Sequence, residues 1–225
     1  MLNNNKKYDT INPNNYKYIY GEKMIKNYIF DFGNVLTEFC PDKLTAPYIS
    51  DEKLIKEISS VVFDRLYWSK LDAGIISDDE IKEAITNRIL PDLKEIALKV
   101  YDNWIYNLTP IDDMIKIVKD IKKRGGKLYL LSNISIGFAE VYESINWIKE
   151  LFSIFDGVVL SGPIKMAKPQ KEIFEYVLDS FNLCHEDCLF IDDVEDNIKG
   201  AESAGIKGYL FDGDAEKFKK FIDIY

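Results

Sequence analysis

Hydrophobic and polar positions follow two rhythms along this chain. Near the start, Tyr28, Ile29 and Phe30 form an apolar run that delivers Asp31 into a Gly-Asn turn, in the stretch "NYIFDFGNVLTEF". That is the pattern of a buried strand ending in a carboxylate. Over 41–107 the rhythm is helical. "SDDEIKEAITNRI" opens with Ser77 three residues ahead of Glu80, a capping box, and Ile81, Ala84, Ile85 and Ile89 then share one face. "PDLKEIALKVYDNWIY" puts Pro91 in a first turn and carries Leu93, Ile96, Ala97 and Val100 at helical spacing. From Thr109 helices and strands alternate. "TPIDDMIKIVKDIKKRGG" predicts a capped helix closed by a glycine pair. "KLYLLSN", "DGVVLS", "CLFIDD" and "GYLF" predict buried strands, with the helices "PQKEIFEYVLDSF" and "VEDNIKGAESAG" between them.

Strands alternating with helices imply right-handed βαβ units and a parallel sheet. The first strand must join that sheet across the helical segment. The fold class is therefore α/β, a doubly wound parallel sheet with an inserted all-α cap. The core is expected over 24–40 and 108–225, and the cap over 41–107. Such a sheet brings Asp31, Ser132, Ser161, Asp192 and Asp193 to strand C-terminal ends, where open α/β sheets place ligands. Residues 1–23 are rich in asparagine, lysine and tyrosine and show neither rhythm. They read as a disordered extension ahead of a natural start at Met24.

Composition bears on partners more than on fold. The 225 residues are 47% hydrophobic and 30% charged, enough for one domain with an insertion and a soluble surface. A net charge of -9 disfavours non-specific nucleic-acid binding and anionic membrane surfaces. Any phosphate must then be held by local cations or a metal. No apolar run approaches about 18 residues, so no membrane span is expected. Cys40, Cys184 and Cys188 make no disulfide framework, and a reducing, cytoplasmic setting is expected. "CHEDC" flanks the single histidine, His185, but has no partner cluster to complete the usual four zinc ligands.

Four pieces converge on the predicted sheet edge. Asp31 ends one strand, and "LSN" (Leu131, Ser132, Asn133) ends the next. "AKPQKEIF" sets Lys168 ahead of a proline-started helix, and "FIDDVEDN" supplies adjacent acids. An aspartate, a hydroxyl, a lysine and an acid pair can jointly bind Mg²⁺ and a phosphate dianion. This ordered set resembles the haloacid dehalogenase superfamily, in the branch with a helical cap after the first motif. Within it, "FDFGNV", "GIIS" (Gly74 to Ser77) and "IDDVEDN" are similar to bacterial α-D-glucose-1-phosphate phosphatases.

The resemblance implies a phosphatase with Asp31 as the nucleophile of an aspartyl-phosphate intermediate. Ser132 and Asn133 would contact phosphate, and Lys168 would hold nucleophile and phosphate together. Mg²⁺, or Mn²⁺ or another divalent ion, would sit on Asp31, the Gly33 carbonyl and Asp193, with Asp192 a second candidate. The resemblance also places "FDRLYWSKLDAG" (Phe63 to Gly74) facing the phosphate site. Trp68 or Tyr67 would stack on a sugar's apolar face there, and Arg65 or Asp72 would bond its hydroxyls. An ordinary place in the helix core is the competing role, more so for Tyr67.

Two positions depart from that pattern. Most phosphatases of the superfamily carry a second aspartate two residues after the nucleophile as general acid and base; here it is Gly33. Glu38 is a candidate substitute, against the plainer role of a surface acid. A sugar 1-phosphate suits the glycine, because its anomeric leaving oxygen needs less proton transfer. Lys165 stands where relatives tend to have glycine, which takes positive φ freely. The reading is a Mg²⁺-dependent phosphatase of a small phosphorylated metabolite, as monomer or weak homodimer. The alternatives are a metal-independent 2-haloacid dehalogenase-like hydrolase and a non-catalytic binding or regulatory protein.

Overall fold

The computed structural model describes residues 25–223, so the extension over 1–23 and the start at Met24 lie outside the described residues. Five parallel strands form the main sheet: β1 (Asn27–Phe30), β4 (Lys127–Ser132), β5 (Gly157–Leu160), β6 (Cys188–Asp192) and β7 (Lys207–Leu210). Their order is β5-β4-β1-β6-β7. The central position of β1 decides where the chemistry collects. Phe30 pairs with Leu130 on one side and Ile191 on the other, so Asp31 stands one position beyond both pairs. Its N–H donates to the Ile191 carbonyl at 2.9 Å.

Successive strand residues divide between two apolar layers. Phe30, Leu128, Leu130 and Ile191 join one buried cluster, and Ile29, Tyr129, Leu131 and Phe190 join the other. The period-2 alternation of a strand thus buries both faces, as a sheet covered on both sides requires.

A short antiparallel ribbon, β2 (Thr37–Glu38) with β3 (Thr109–Pro110), brackets a run of helices. These are α1 (Pro41–Thr45), α2 (Glu52–Val62), α3 (Arg65–Asp72), α4 (Asp78–Arg88) and α5 (Lys94–Asn103). The remainder lie between and after the sheet strands: α6 (Asp112–Lys123), α7 (Ile136–Val141), α8 (Asn146–Phe152), α9 (Ser161–Ile164), α10 (Lys171–Ser180), α11 (Glu195–Ser203) and α12 (Ala215–Ile222). The capping box of α4 is complete. Glu80 N–H donates to Ser77 Oγ at 3.2 Å, and Ser77 N–H donates to Glu80 Oε2 at 2.8 Å. No helix among the described residues is long and apolar enough to cross a membrane.

Two local expectations are corrected. The helix expected to be capped, α6, follows Ile111 and has no side-chain cap. Thr109, ahead of it, pairs with Glu38 in the ribbon, and its carbonyl accepts from Thr37 Oγ1 at 2.8 Å. Pro169 does not start α10, which begins at Lys171; it occupies a turn after a cis Lys168–Pro169 bond.

Asp156, just before β5, ties the outer edge of the sheet together. It accepts from Leu128 N–H at 2.9 Å, Lys122 Nζ at 2.6 Å and Lys127 Nζ at 3.1 Å. Partial burial alone would raise its pKa, but these donors prevail and hold it at about 2. A carboxyl depressed in the folded state stabilises above its unfolded pKa, and that gain fades as pH falls through the folded value. Asp156→Asn is expected to cost about 1 kcal/mol at pH 7, discounted for solvent screening. The gap to wild type should close between about pH 4 and pH 2 in urea titrations.

Candidate active site

Asp31 and Lys168 define the centre of the site. Both are buried, at 7% and 4% exposure, at the C-terminal edge of the sheet. Lys168 Nζ lies 2.7 Å from Asp31 Oδ1 and 2.7 Å from Asp192 Oδ2, and it donates to the Leu131 carbonyl at 3.1 Å. Burial alone would lower the lysine's pKa, but the two carboxylates outweigh it and leave it raised. The ammonium is therefore a fixed charge.

Asp31 is held asymmetrically. Phe32 N–H donates to the same Oδ1 at 2.7 Å, so both donors crowd one oxygen. The other oxygen, Oδ2, makes no hydrogen bond among the described residues. Burial pushes Asp31 up to about 7; Lys168 opposes the shift and the nearby Asp192 charge adds to it.

Of the two candidate acids in "IDD", the structure separates the roles. Asp192 is wholly buried and saturated: Oδ1 accepts from Val194 N–H at 2.8 Å and Asn197 Nδ2 at 3.0 Å, and Oδ2 from Asn197 Nδ2 at 3.0 Å besides Lys168. Asp193 is partly exposed, and Asn34 Nδ2 donates to its Oδ2 at 3.1 Å. Its pKa is raised, chiefly by burial. Oxygen atoms of Asp31, Asp192 and Asp193 lie within 4.8 Å of one another. Three carboxylates against one lysine, all offering oxygen, suit a hard divalent cation such as Mg²⁺.

A cavity of about 670 Å³ opens over this centre, within the range of small-molecule sites. Asp31, Gly33, Asn34, Ser132, Asn133, Lys168, Asp193 and Asn197 line its floor. Ser132 is 3% exposed and its hydroxyl makes no hydrogen bond among the described residues, which leaves it available to a ligand. Asn133 is engaged otherwise than expected. Its Nδ2 donates to the Lys168 carbonyl at 2.9 Å, and its Oδ1 accepts from Lys168 N–H at 2.8 Å. The side-chain amide clamps the loop that carries the lysine while Asn133 also lines the cavity.

The wall contributed by 41–107 includes Phe63, Arg65, Trp68, Ser69, Asp72 and Trp104, with Phe39 beside them. Trp68 lies against Phe63, Phe39 and Trp104 at centroid distances of 5.0, 5.9 and 5.3 Å. Tyr67 does not line the cavity; the Arg88 guanidinium sits 4.0 Å from its ring centroid. Glu38 is exposed and ion-paired to Lys43 at 2.7 Å, away from the cavity lining. Lys165 takes φ 55°, the left-handed conformation that glycine would adopt freely. The acid triplet is the one grouping of His, Cys, Asp and Glu donors spaced for a metal among the described residues, so "CHEDC" forms none.

Two residues of the site were not singled out as candidates from sequence. Asn34 follows Gly33 at φ 54°, and the Gly-Asn pair read simply as a turn. Asn197 stands inside "IDDVEDN", where the acids drew the attention.

A model of haloacid dehalogenase-like hydrolases matches residues 25–205. The chain belongs to this family. It is a hydrolase. It is similar to drimenol cyclase drtB of Aspergillus calidoustus, 26% identical over 90% of this chain and 37% of that protein. It thus spans about a third of that relative. It is also similar to sesquiterpene phosphatase astK of Aspergillus oryzae, 24% identical over 80% of this chain and 86% of the relative. D-ribitol-5-phosphate phosphatase of Bacteroides thetaiotaomicron is 26% identical, over 83% and 91%. The fold matches a haloacid dehalogenase family enzyme of Bacteroides thetaiotaomicron with a TM-score of 0.66 at 22% identity, over 88% of this chain and 99% of that one. That enzyme has also been solved with magnesium and inorganic phosphate, where the TM-score is 0.59 at 23% identity over 82% and 93%.

Proposed function

We propose that this hydrolase is a divalent-metal-dependent phosphatase of a small sugar phosphate. The observation that carries the reading is the division of labour on Asp31. One oxygen is fixed by Lys168 and the Phe32 N–H, and the other is left without a donor at a cavity floor. A carboxylate held in one orientation with an unengaged oxygen is prepared to attack phosphorus. Asp31 Oδ2 would form the bond to phosphorus as the ester oxygen leaves, and water would then release phosphate and restore the carboxylate. Lys168 and the Ser132 hydroxyl would meet the phosphoryl oxygens. Asp31, Asp193 and the Gly33 carbonyl would hold the metal, which when bound neutralises phosphoryl charge, and Asp192 would position Lys168. The phosphatase names of two relatives support this reaction class.

The 41–107 helices act in this reading as a cap that selects the alcohol. A sugar 1-phosphate is the first substrate to test, on the motif likeness to glucose-1-phosphate phosphatases and on the glycine at 33. The decisive assay is phosphate release across a sugar-phosphate panel, with Mg²⁺ and with chelator, beside chloride release from a 2-haloacid. Metal-dependent phosphate release supports the proposal. Chloride release that ignores chelator would replace it with the dehalogenase reading, and no turnover at all with the binding-protein reading.

Trp68 supplies a further check. Its ring both packs on its aromatic neighbours and lines the cavity. Trp68→Ala is expected to lower kcat/KM for the best sugar phosphate about tenfold more than for a small generic phosphate ester. Equal losses on both, with a lower melting temperature, would make Trp68 a packing residue alone.

A further inference from the structure

Hydrolysis by the proposed route needs a proton for the leaving oxygen, and the position two residues after Asp31 offers none. Packing does not force the glycine there, since a Cβ added to Gly33 would meet no atom within 4 Å. Glu38 is paired with Lys43 and does not line the cavity.

The cavity-lining acids are Asp31, Asp72, Asp193 and Asp196. Asp31 and Asp193 belong to the nucleophile and metal group, and Asp196 is exposed beside Lys199 at 3.6 Å. That leaves Asp72, the last residue of α3. Its carboxyl makes no hydrogen bond or ion pair among the described residues, and its place is fixed by its backbone. The Asp72 carbonyl accepts from Ser161 Oγ at 2.6 Å, and the same Oγ accepts from Ile134 N–H at 2.8 Å. Gly74, at φ +63°, lets the following turn close on the core: a Cβ there would come within 2.5 Å of the Gly162 carbonyl. The wholly buried Ser161 thus links the end of α3 to the segments that follow β4 and β5.

We propose that Asp72 is the proton-transfer residue of this enzyme, delivered to the site from the inserted helices in place of an acid at position 33. The inference rests on the phosphatase reading and deepens it. In the first half-reaction the Asp72 carboxyl gives its proton to the ester oxygen as that P–O bond breaks and the Asp31 Oδ2–P bond forms. In the second, the Asp72 carboxylate takes a proton from water as the water oxygen bonds to phosphorus and the Asp31–P bond breaks. Protons and charge balance over the cycle. The carboxyl's pKa is raised well above the usual range, first by burial and then by the Asp31 charge, with Lys168 opposing. Both causes favour the protonated carboxyl, the form that can donate to a leaving oxygen. With this acid in place, esters of ordinary alcohols, whose leaving oxygens need a proton, fall within the substrate class.

The test is leaving-group dependence. Asp72→Asn keeps the shape, and kcat/KM reports the steps through first P–O cleavage, where the leaving group matters. With Mg²⁺ present, p-nitrophenyl phosphate and an alkyl phosphate such as ribitol 5-phosphate are compared in wild type and variant. The expected loss is about 100-fold or more on the alkyl ester, the scale of general acid catalysis, and at least tenfold smaller on the aryl ester. Equal losses on the two esters would overturn the role of Asp72 and leave the phosphatase reading standing. A wild-type enzyme that releases phosphate from sugar phosphates of the panel but from neither of these esters would overturn the role of Asp72, and one that releases it from none would overturn both readings.

Discussion

Asp31→Asn is expected to lower phosphate release by about a thousandfold or more while the protein stays folded, the scale on which removing a covalent nucleophile acts. An amide cannot make the bond to phosphorus that the unengaged Oδ2 is placed to make. The fold should survive because β1 is fixed by backbone pairing and by Ile29 and Phe30, which are fully buried. Lys168 also keeps Asp192 as a counter-charge. Circular dichroism and a melting curve check the fold, and single-turnover phosphate release checks the chemistry. Turnover within tenfold of wild type, in protein shown free of deamidation, would remove Asp31 from the nucleophile's role.

Lys168→Met should cost both activity and stability. The ammonium is the cation that the structure gives to two buried carboxylates, and removing one partner of a buried ion group typically costs about 3–5 kcal/mol. The variant should therefore unfold at clearly lower urea concentration at pH 7.5, besides losing phosphatase activity. The pH dependence gives the sign. Without the lysine, the folded-state pKa of Asp31 should rise further above its unfolded value, since Lys168 is the charge that lowers it. A carboxyl raised in the folded state costs stability at high pH and less as pH falls through that folded value. The deficit should accordingly shrink from pH 8 toward pH 5. A deficit that stays constant over that window would mean that lost packing, rather than stranded charge, is the cause.

The chain's own periodicity determined most of the fold. Four strands of the main sheet are short apolar runs that bury alternate residues on opposite faces because the strand repeat is two. "GYLF" departs from the buried strand expected of it, since β7 lies at the sheet edge with no residue fully buried and Leu210 47% exposed. The capping box at Ser77 and Glu80 is equally local, since three residues of helix bring the two side chains together whatever surrounds them. Placing Asp31, Ser132, Lys168 and the "IDD" acids at one edge also followed from sequence, through the rule that parallel strands end at a common edge. Tertiary structure decided which partner each of these side chains takes. Asn133 clamps the Lys168 backbone, Asp192 is saturated while Asp193 is partly exposed, and Asn34 reaches Asp193 across 159 positions of chain. The Thr109 pairing with Glu38 and the Ser161 link to Asp72 join segments 71 and 89 positions apart. Helix and strand periods express a residue's relation to its near neighbours in the chain, so they can be read in one dimension. A hydrogen bond between distant segments depends on an approach that only the packed sheet and the helices lying on it create.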